Sequence, residues 1–204
     1  MPRIDDYIAS RNLAAATLAA EPFMEICDRS AFLRENENTF IVPFLDRVYR
    51  VGFPEFSFKD RDVPQKDVPI QEQVLILHYM AGSKSGPPEG RWISYREIPG
   101  ASFYYSAFVQ RAVEPLKKVF GSDAAGLKRA AERLGASEIQ EGDSAFELFP
   151  FPRVPIRLIL WAGDDEFAPE ANIVFNRSIG TMLSPEDVAW LAGMVVYRLI
   201  ALSR

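Results

Sequence analysis

Apolar residues fall at helical spacing at the start of the chain, then alternate as in strands, and the two regimes exchange several times before the end. Tyr7 to Ala20 is rich in Ala and Leu and predicts a helix. Pro22 suits the first turn of a second, short helix carrying Phe23, Ile26, Cys27, Phe32 and Leu33. The polar tract Arg34–Asn38 ends that pattern, so residues 1–38 read as an N-terminal helical segment ahead of a core spanning 39–204.

From Thr39 the period becomes two. Thr39–Phe44 and Arg47–Phe53 predict strands joined by Leu45-Asp46 as a tight hairpin, and Phe56-Ser57-Phe58 continues in extended form. Asp60 to Pro69, with its prolines and charges, predicts an exposed loop. Ile70–Ala81 then predicts a helix with Val74, Leu75, Leu77, His78 and Met80 on one broad face and Gly82 as its C-cap. Ser83–Gly90 reads as loop, Trp92–Glu97 as a short strand and Ile98-Pro99-Gly100 as a turn. A long helix follows with Ser102 as N-cap, kinked or divided by Pro115. A further helix starts at Ser122-Asp123 and ends at Leu134-Gly135.

After Gly135 strand signals return at Ile139–Phe149, Val154–Trp161 and Ala171–Phe175. Ile156–Trp161 lacks alternation, which predicts a central strand buried on both faces with Trp161 in the core. Ser184-Pro185-Glu186-Asp187 opens the last helix, with an N-cap serine, proline at the first position and acids in the first turn. Helices and strands do not alternate regularly. The expectation is a single α+β domain over 1–204, a mostly antiparallel sheet packed against several helices.

Composition narrows the function classes. At 204 residues, 48% hydrophobic and 25% charged, the chain has the balance of a globular domain that holds a core without metal or disulfide. A net charge of -5 offers no general attraction to nucleic acid. The first residues turn acidic at once, and no apolar run approaches the ~18 residues of a membrane span. The expectation is therefore a cytoplasmic protein with neither a nucleic-acid nor a membrane partner. One cysteine, Cys27, forms no internal disulfide and holds no iron–sulfur cluster; one histidine, His78, removes every His-pair metal site.

Candidate chemistry is sparse. Glycine-rich phosphate loops are absent, as are Cys-x-x-Cys, His-Glu-x-x-His and Gly-x-Ser-x-Gly. The basic residues Arg111, Lys117, Lys118, Lys128, Arg129 and Arg133 alternate with acids and read as solvated helix surface. His78, on a largely apolar helix, is either a hydrogen-bonded boundary residue or an acid/base group. Cys27, beside Phe23 and Ile26, reads as a small buried hydrophobe. The one concentrated polar feature is Gly163-Asp164-Asp165-Glu166-Phe167 after a strand. Its acids either fix a turn or supply cation ligands or an acid/base pair, and in extended chain only Asp164 and Glu166 would converge.

Three stretches carry a family resemblance: Gly90-Arg91-Trp92-Ile93-Ser94-Tyr95-Arg96-Glu97-Ile98-Pro99-Gly100, Phe151-Pro152-Arg153-Val154-Pro155-Ile156, and Trp161-Ala162-Gly163-Asp164-Asp165-Glu166-Phe167. Ile76-Leu77-His78-Tyr79 and Leu183-Ser184-Pro185-Glu186-Asp187 fit the same ordered pattern. Together they resemble the bacterial and archaeal family called domain of unknown function 3786, over roughly Thr39 to the C-terminus. The resemblance implies an anaerobic, metal-rich setting. The iron–sulfur label of some members goes with a Cys-rich segment that this chain lacks. It also implies an aspartate where this chain has Asn176, a loss that weakens any metal site built on Asp164 and Glu166.

Three function classes follow. The first is a non-catalytic accessory protein of anaerobic metabolism that binds a small ligand or cofactor near Trp92, Tyr95, Phe103, Tyr104 and Tyr105, with Arg96 and Arg153 holding an anionic group. The second is a carboxylate-based hydrolase or lyase using Asp164, Glu166 and His78. The third is a protein–protein interaction module with an apolar patch at Trp190, Met194 and Tyr197. The candidate site set is thus Trp92, Tyr95, Arg96, Arg153, Asp164, Glu166 and His78; it assigns no metal and identifies no cofactor.

Overall fold

The structure is a computed structural model that describes residues 3–82 and 90–204. All but Gly90 of the expected 83–90 loop lies outside the described residues. Two compact units, each with its own antiparallel sheet and helices, make up an α+β chain: residues 3–82 with Thr181–Leu183, and residues 90–180 with 184–204.

The first unit opens with α1 (Ile4–Ala19), which buries Ala14, Ala15 and Leu18, and α2 (Phe23–Ser30), which begins after Pro22 as its sequence predicts. Ala31 then takes a left-handed conformation and stops the helix, so Phe32 and Leu33 leave it. The tract expected only to break the helix is instead an edge strand, β1 (Leu33–Asn36), paired with β2 (Thr39–Phe44). Its exposed polar side chains hid it, because an edge strand with a solvated face carries no apolar alternation.

The β2–β3 (Arg47–Gly52) hairpin has the predicted register, Phe44 opposite Arg47 across the two-residue turn Leu45-Asp46. β4 (Ser57–Asp60) completes the order β1-β2-β3-β4. Phe40, Val42, Phe44 and Val51 are fully buried, while the residues between them are less so, as the two-residue period requires. α3 (Ile70–Gly82) packs against α1 and α2. Within its burial Tyr49 Oη donates to the Glu72 carboxylate at 2.5 Å, and Arg29 Nε donates to the Met80 carbonyl at 2.7 Å.

The second unit contains a five-stranded sheet with the order β5 (Trp92–Ser94), β9 (Glu170–Asn176), β8 (Val154–Trp161), β7 (Ser144–Phe151), β6 (Ser137–Ile139). Every pairing is antiparallel. β8 is the central strand, as its unbroken apolar run predicts. Ile156, Leu158 and Leu160 on its inner face are fully buried. Trp161 is not core: it sits at the strand end on the opposite face, level with Glu170, and is 42% exposed. Strand alternation sends it outward once Leu160 points in.

The helices of this unit are α4 (Tyr105–Phe108), α5 (Glu114–Phe120), α6 (Ala124–Arg133) and α7 (Pro185–Leu202). α7 starts as read from its sequence, with Ser184 and Asp187 exchanging side chain-to-backbone bonds. Asp123 caps α6 by accepting from the Gly126 N–H at 2.8 Å.

The long helix expected from Ser102 differs. A 3₁₀ turn occupies Ala101–Tyr104, a π turn occupies Val109–Val113, and Ser102 caps neither. The Glu114 N–H donates to the Val109 carbonyl, five residues back. Pro115 has no N–H for the Arg111 carbonyl, so an α register fails there and the wider turn takes its place. Gly193 of α7 lies against that turn; a Cβ there would stand 3.4 Å from the Arg111 carbonyl oxygen.

Candidate functional site

β5 ends at Ser94, opposite Val174, while β9 continues back to Glu170. From Ile173 to Glu170, β9 therefore has a partner on one side only. The Arg177 N–H donates to the Arg91 carbonyl at 2.9 Å, which sets the ladder's phase. By its alternation the peptide groups of Ile173 and Ala171 point to the open side.

A cleft of about 280 Å³ occupies that side. The 3₁₀ turn Tyr95–Glu97 closes one flank, and the π turn with the start of α5 closes the other. Its floor is aromatic: Tyr95 stacks on Phe108 with centroids 4.3 Å apart and planes inclined by 4°, and Phe175 meets both edge-on. Tyr95 is fully buried and its hydroxyl donates to the Pro185 carbonyl at 2.7 Å. Burial pushes this phenol up to about 12, so it is a neutral structural donor, not a proton carrier near neutral pH.

The rim carries the charge. The Arg96 guanidinium lies over the Tyr105 ring at 3.9 Å, which leaves its edge free to meet an anion in the plane of the fork. Lys117 pairs with Glu114 at 3.3 Å. Glu170 and Asn172 line the cleft from β9.

A second groove, of about 440 Å³, adjoins the first and shares Lys117 with it. It is bounded by the end of α5 and the loop Gly163–Pro169. Here the acids do turn chemistry. Asp164 Oδ1 accepts from the N–H groups of Phe167 and Glu166 at 2.7 and 2.9 Å, and the Asp164 N–H donates to the Phe167 carbonyl. Those donors, Phe167 first, hold the Asp164 carboxyl below the usual carboxylate range. Among the described residues no group of three or more His, Cys, Asp or Glu side chains converges as a metal site would require.

The remaining candidates lie elsewhere. Trp92 is on the outer face of the sheet, its ring under the Arg157 guanidinium at 4.0 Å. Arg153 is in the two-residue β7–β8 turn, at the opposite end of β8 from Asp164, about 24 Å along the strand. Asn176 is likewise about 20 Å along β9 from Glu170, and its amide oxygen accepts from the Ser178 hydroxyl at 2.8 Å. An acid there would not join Asp164 and Glu166. His78 belongs to the first unit, where its Nε2 meets the Ser10 hydroxyl at 3.0 Å. Phe103, counted among the aromatics, is 90% exposed. The cleft therefore keeps Tyr95 and Arg96 of the candidate set, and the adjoining groove keeps Asp164 and Glu166.

Lys117, Glu170, Asn172 and the π turn are cleft features absent from the sequence-derived set. Only Pro115 within a helical pattern pointed toward the π turn; nothing in the sequence shows where β5 stops beside β9.

The chain matches the family described as Domain of unknown function (DUF3786) over residues 22–198. It belongs to that family. The match begins at α2 and so reaches further toward the N-terminus than the motif resemblance from Thr39. No curated protein and no solved structure matches the chain. Gly90–Gly100, one of the motif stretches, supplies β5, the 3₁₀ turn and the flank of the cleft. The DUF3786 acidic stretch supplies the loop of the neighbouring groove. No helix among the described residues is long and apolar enough to cross a membrane.

Proposed function

We propose that this DUF3786 protein is a non-catalytic accessory protein that binds a small ligand in the cleft beside β9. The observation that carries the reading is the open edge of β9, 170–173, recessed between an aromatic floor and a rim holding Arg96, Lys117 and Asn172. Apolar walls with a few directed polar groups are the composition of small-molecule sites. The anaerobic setting of this role rests on the family resemblance.

Geometry favours binding over reaction. Asp164 has both acceptor sites of Oδ1 engaged by backbone N–H groups, and the Tyr95 phenol is held neutral. Neither cleft of the second unit is lined by His78. The interaction-module reading has less support: Trp190 lies under the Arg111 guanidinium at 4.9 Å and Met194 is half-buried, so of its three residues Tyr197 alone is exposed.

The test is amide chemical-shift mapping with a panel of small carboxylates, phosphate esters, nucleosides and amino acids at millimolar concentration. Binders should move the signals of residues 94–96, 105–113 and 170–173 and lose that effect in Asn172→Ala. Shifts confined to other regions, or conversion of any panel compound to product, would sink the reading.

A further inference from the structure

The unpaired stretch of β9 is blocked at one end. β5 lies on the same edge and occupies it from Val174 onward, and the 3₁₀ turn Tyr95–Glu97 follows it directly. By the phase of the ladder, the Tyr95 N–H faces the Ile173 carbonyl as a last half-rung. The Tyr95 carbonyl turns away and accepts from the Ile98 N–H at 3.1 Å. Among the described residues, three backbone groups on this side are then left without a bond: the Ile173 N–H, and the N–H and carbonyl of Ala171. Ile173 lines the cleft yet is only 1% exposed, so its N–H is shielded from bulk water without an acceptor.

These three groups select a strand direction. In a parallel pair a residue donates to the carbonyl before its neighbour and accepts from the N–H after it. A residue set beside Asn172 in a parallel strand therefore donates to Ala171 and accepts from Ile173. The residue two before it accepts from the Ala171 N–H, so all three groups are used. An antiparallel strand meets in full only the Ala171 rung. A parallel strand enters at Glu170 and has to stop beside Ile173, because β5 bars the way. The end that stops there is a C-terminus.

The charge at the blocked end agrees. Arg96 lies in the turn, and its guanidinium stacks on Tyr105 at 3.9 Å with its N–H edge spared. Tyr105 and Phe108 line the cleft and Tyr95 stacks on Phe108, so this guanidinium stands on the helix side of the blocked end. The other end opens past Lys117 into the second groove. Along an added strand the penultimate side chain falls beside Ala171, on the face that Ile173 turns toward Val109 and Val113. The terminal side chain falls beside Asn172 on the opposite face. A volume of about 280 Å³ limits the enclosed part to a few residues.

We infer that the cleft takes a short peptide with a free C-terminus, laid parallel to β9: its carboxylate on the Ile173 N–H and Arg96, its penultimate side chain apolar and against Val109 and Val113. This rests on the small-ligand reading above and names the ligand class of that site.

Isothermal titration calorimetry on the full chain tests it. The probe is alanyl-leucyl-alanine, with three controls that each remove one contact. Its C-terminal amide lacks the carboxylate, alanyl-aspartyl-alanine puts a charge at the penultimate position, and methylation of its last peptide nitrogen removes the donor to Ala171. The probe should bind, and each control should bind about tenfold more weakly or worse. Arg96→Gln should weaken the probe about tenfold and leave the affinity of the amide unchanged, a split that a general loss of structure does not give. The Arg96 side chain is exposed, so circular dichroism of the variant should match the parent.

No binding of the probe would overturn the inference. So would equal binding of any control, or unchanged binding of the probe in Arg96→Gln. A compound of the chemical-shift panel mapping to residues 94–96 and 170–173 would then leave the small-ligand reading standing, whereas no compound mapping there would remove both.

Discussion

At the scale of single residues, two side chains separate an apolar run from a core and an acidic run from a metal site. Trp161 lies in the most apolar strand yet is 42% exposed, whereas Phe146 on neighbouring β7 is 1% exposed. Phe146→Ala should therefore cost about 3–5 kcal/mol and Trp161→Ala about 1 kcal/mol, compared by urea titration. Equal losses would mean that Trp161 is packed as tightly as the core. Asp164 makes the second case. Its carboxylate is favoured by the Phe167 and Glu166 N–H groups, so its folded-state value lies below the ordinary carboxylate value of about 4. The stabilising contribution is complete above that ordinary value and is lost as pH falls through the lower, folded one. The stability gap between the parent and Asp164→Asn should be constant near neutral pH and shrink below about pH 4. A gap that widens on acidification would contradict the turn geometry, and added Mg²⁺ should raise the melting temperature of neither protein.

At the scale of elements, local chemistry sets the ends and tertiary contact sets the interruptions. α7 begins where Ser184 accepts from the Asp187 N–H at 3.1 Å and Asp187 returns a bond to the Ser184 N–H. Ser184→Ala should lower stability by about 1 kcal/mol, and Ser184→Asp should recover most of it, read from chemical denaturation. This start was legible because a capping box acts within four residues. The π turn at Val109–Val113 was only half legible. Pro115 showed that the helix must break, but not that the break becomes one wide turn, packed against α7 near Gly193. β1 was not legible at all. Its four exposed residues gain strand form from pairing with β2, a partner that their own pattern does not announce.

At the scale of the whole molecule, the division into two units bears on cooperativity. All three tryptophans, Trp92, Trp161 and Trp190, belong to the second unit, so their fluorescence reports that unit alone. Met182 and Leu183, buried at 4% and 5% exposure, belong to the first unit, and the next residue is the N-cap of α7 in the second. Release of residues 181–183 would free the chain at that cap. We expect one cooperative transition, as for a single domain: tryptophan fluorescence and far-ultraviolet circular dichroism should give coincident urea curves. Two separated midpoints would show that the units unfold independently.

Patterning, capping and turn chemistry in the sequence alone determined the α+β class, the β2–β3 register, the central place of β8 and both ends of α6, because each depends on residues within one or two turns or strands of one another. The motif stretches also carried the family. The cleft depended on tertiary structure, since it exists only where a strand of three residues stops short beside one of seven, with a π turn closing the gap. Tyr95 and Arg96 could be named in advance as polar aromatic and cationic residues near a turn. Their grouping with Lys117, Glu170 and Asn172, and the placing of Arg153 at the far end of β8 and His78 in another unit, follow from strand order and length, which no local pattern encodes.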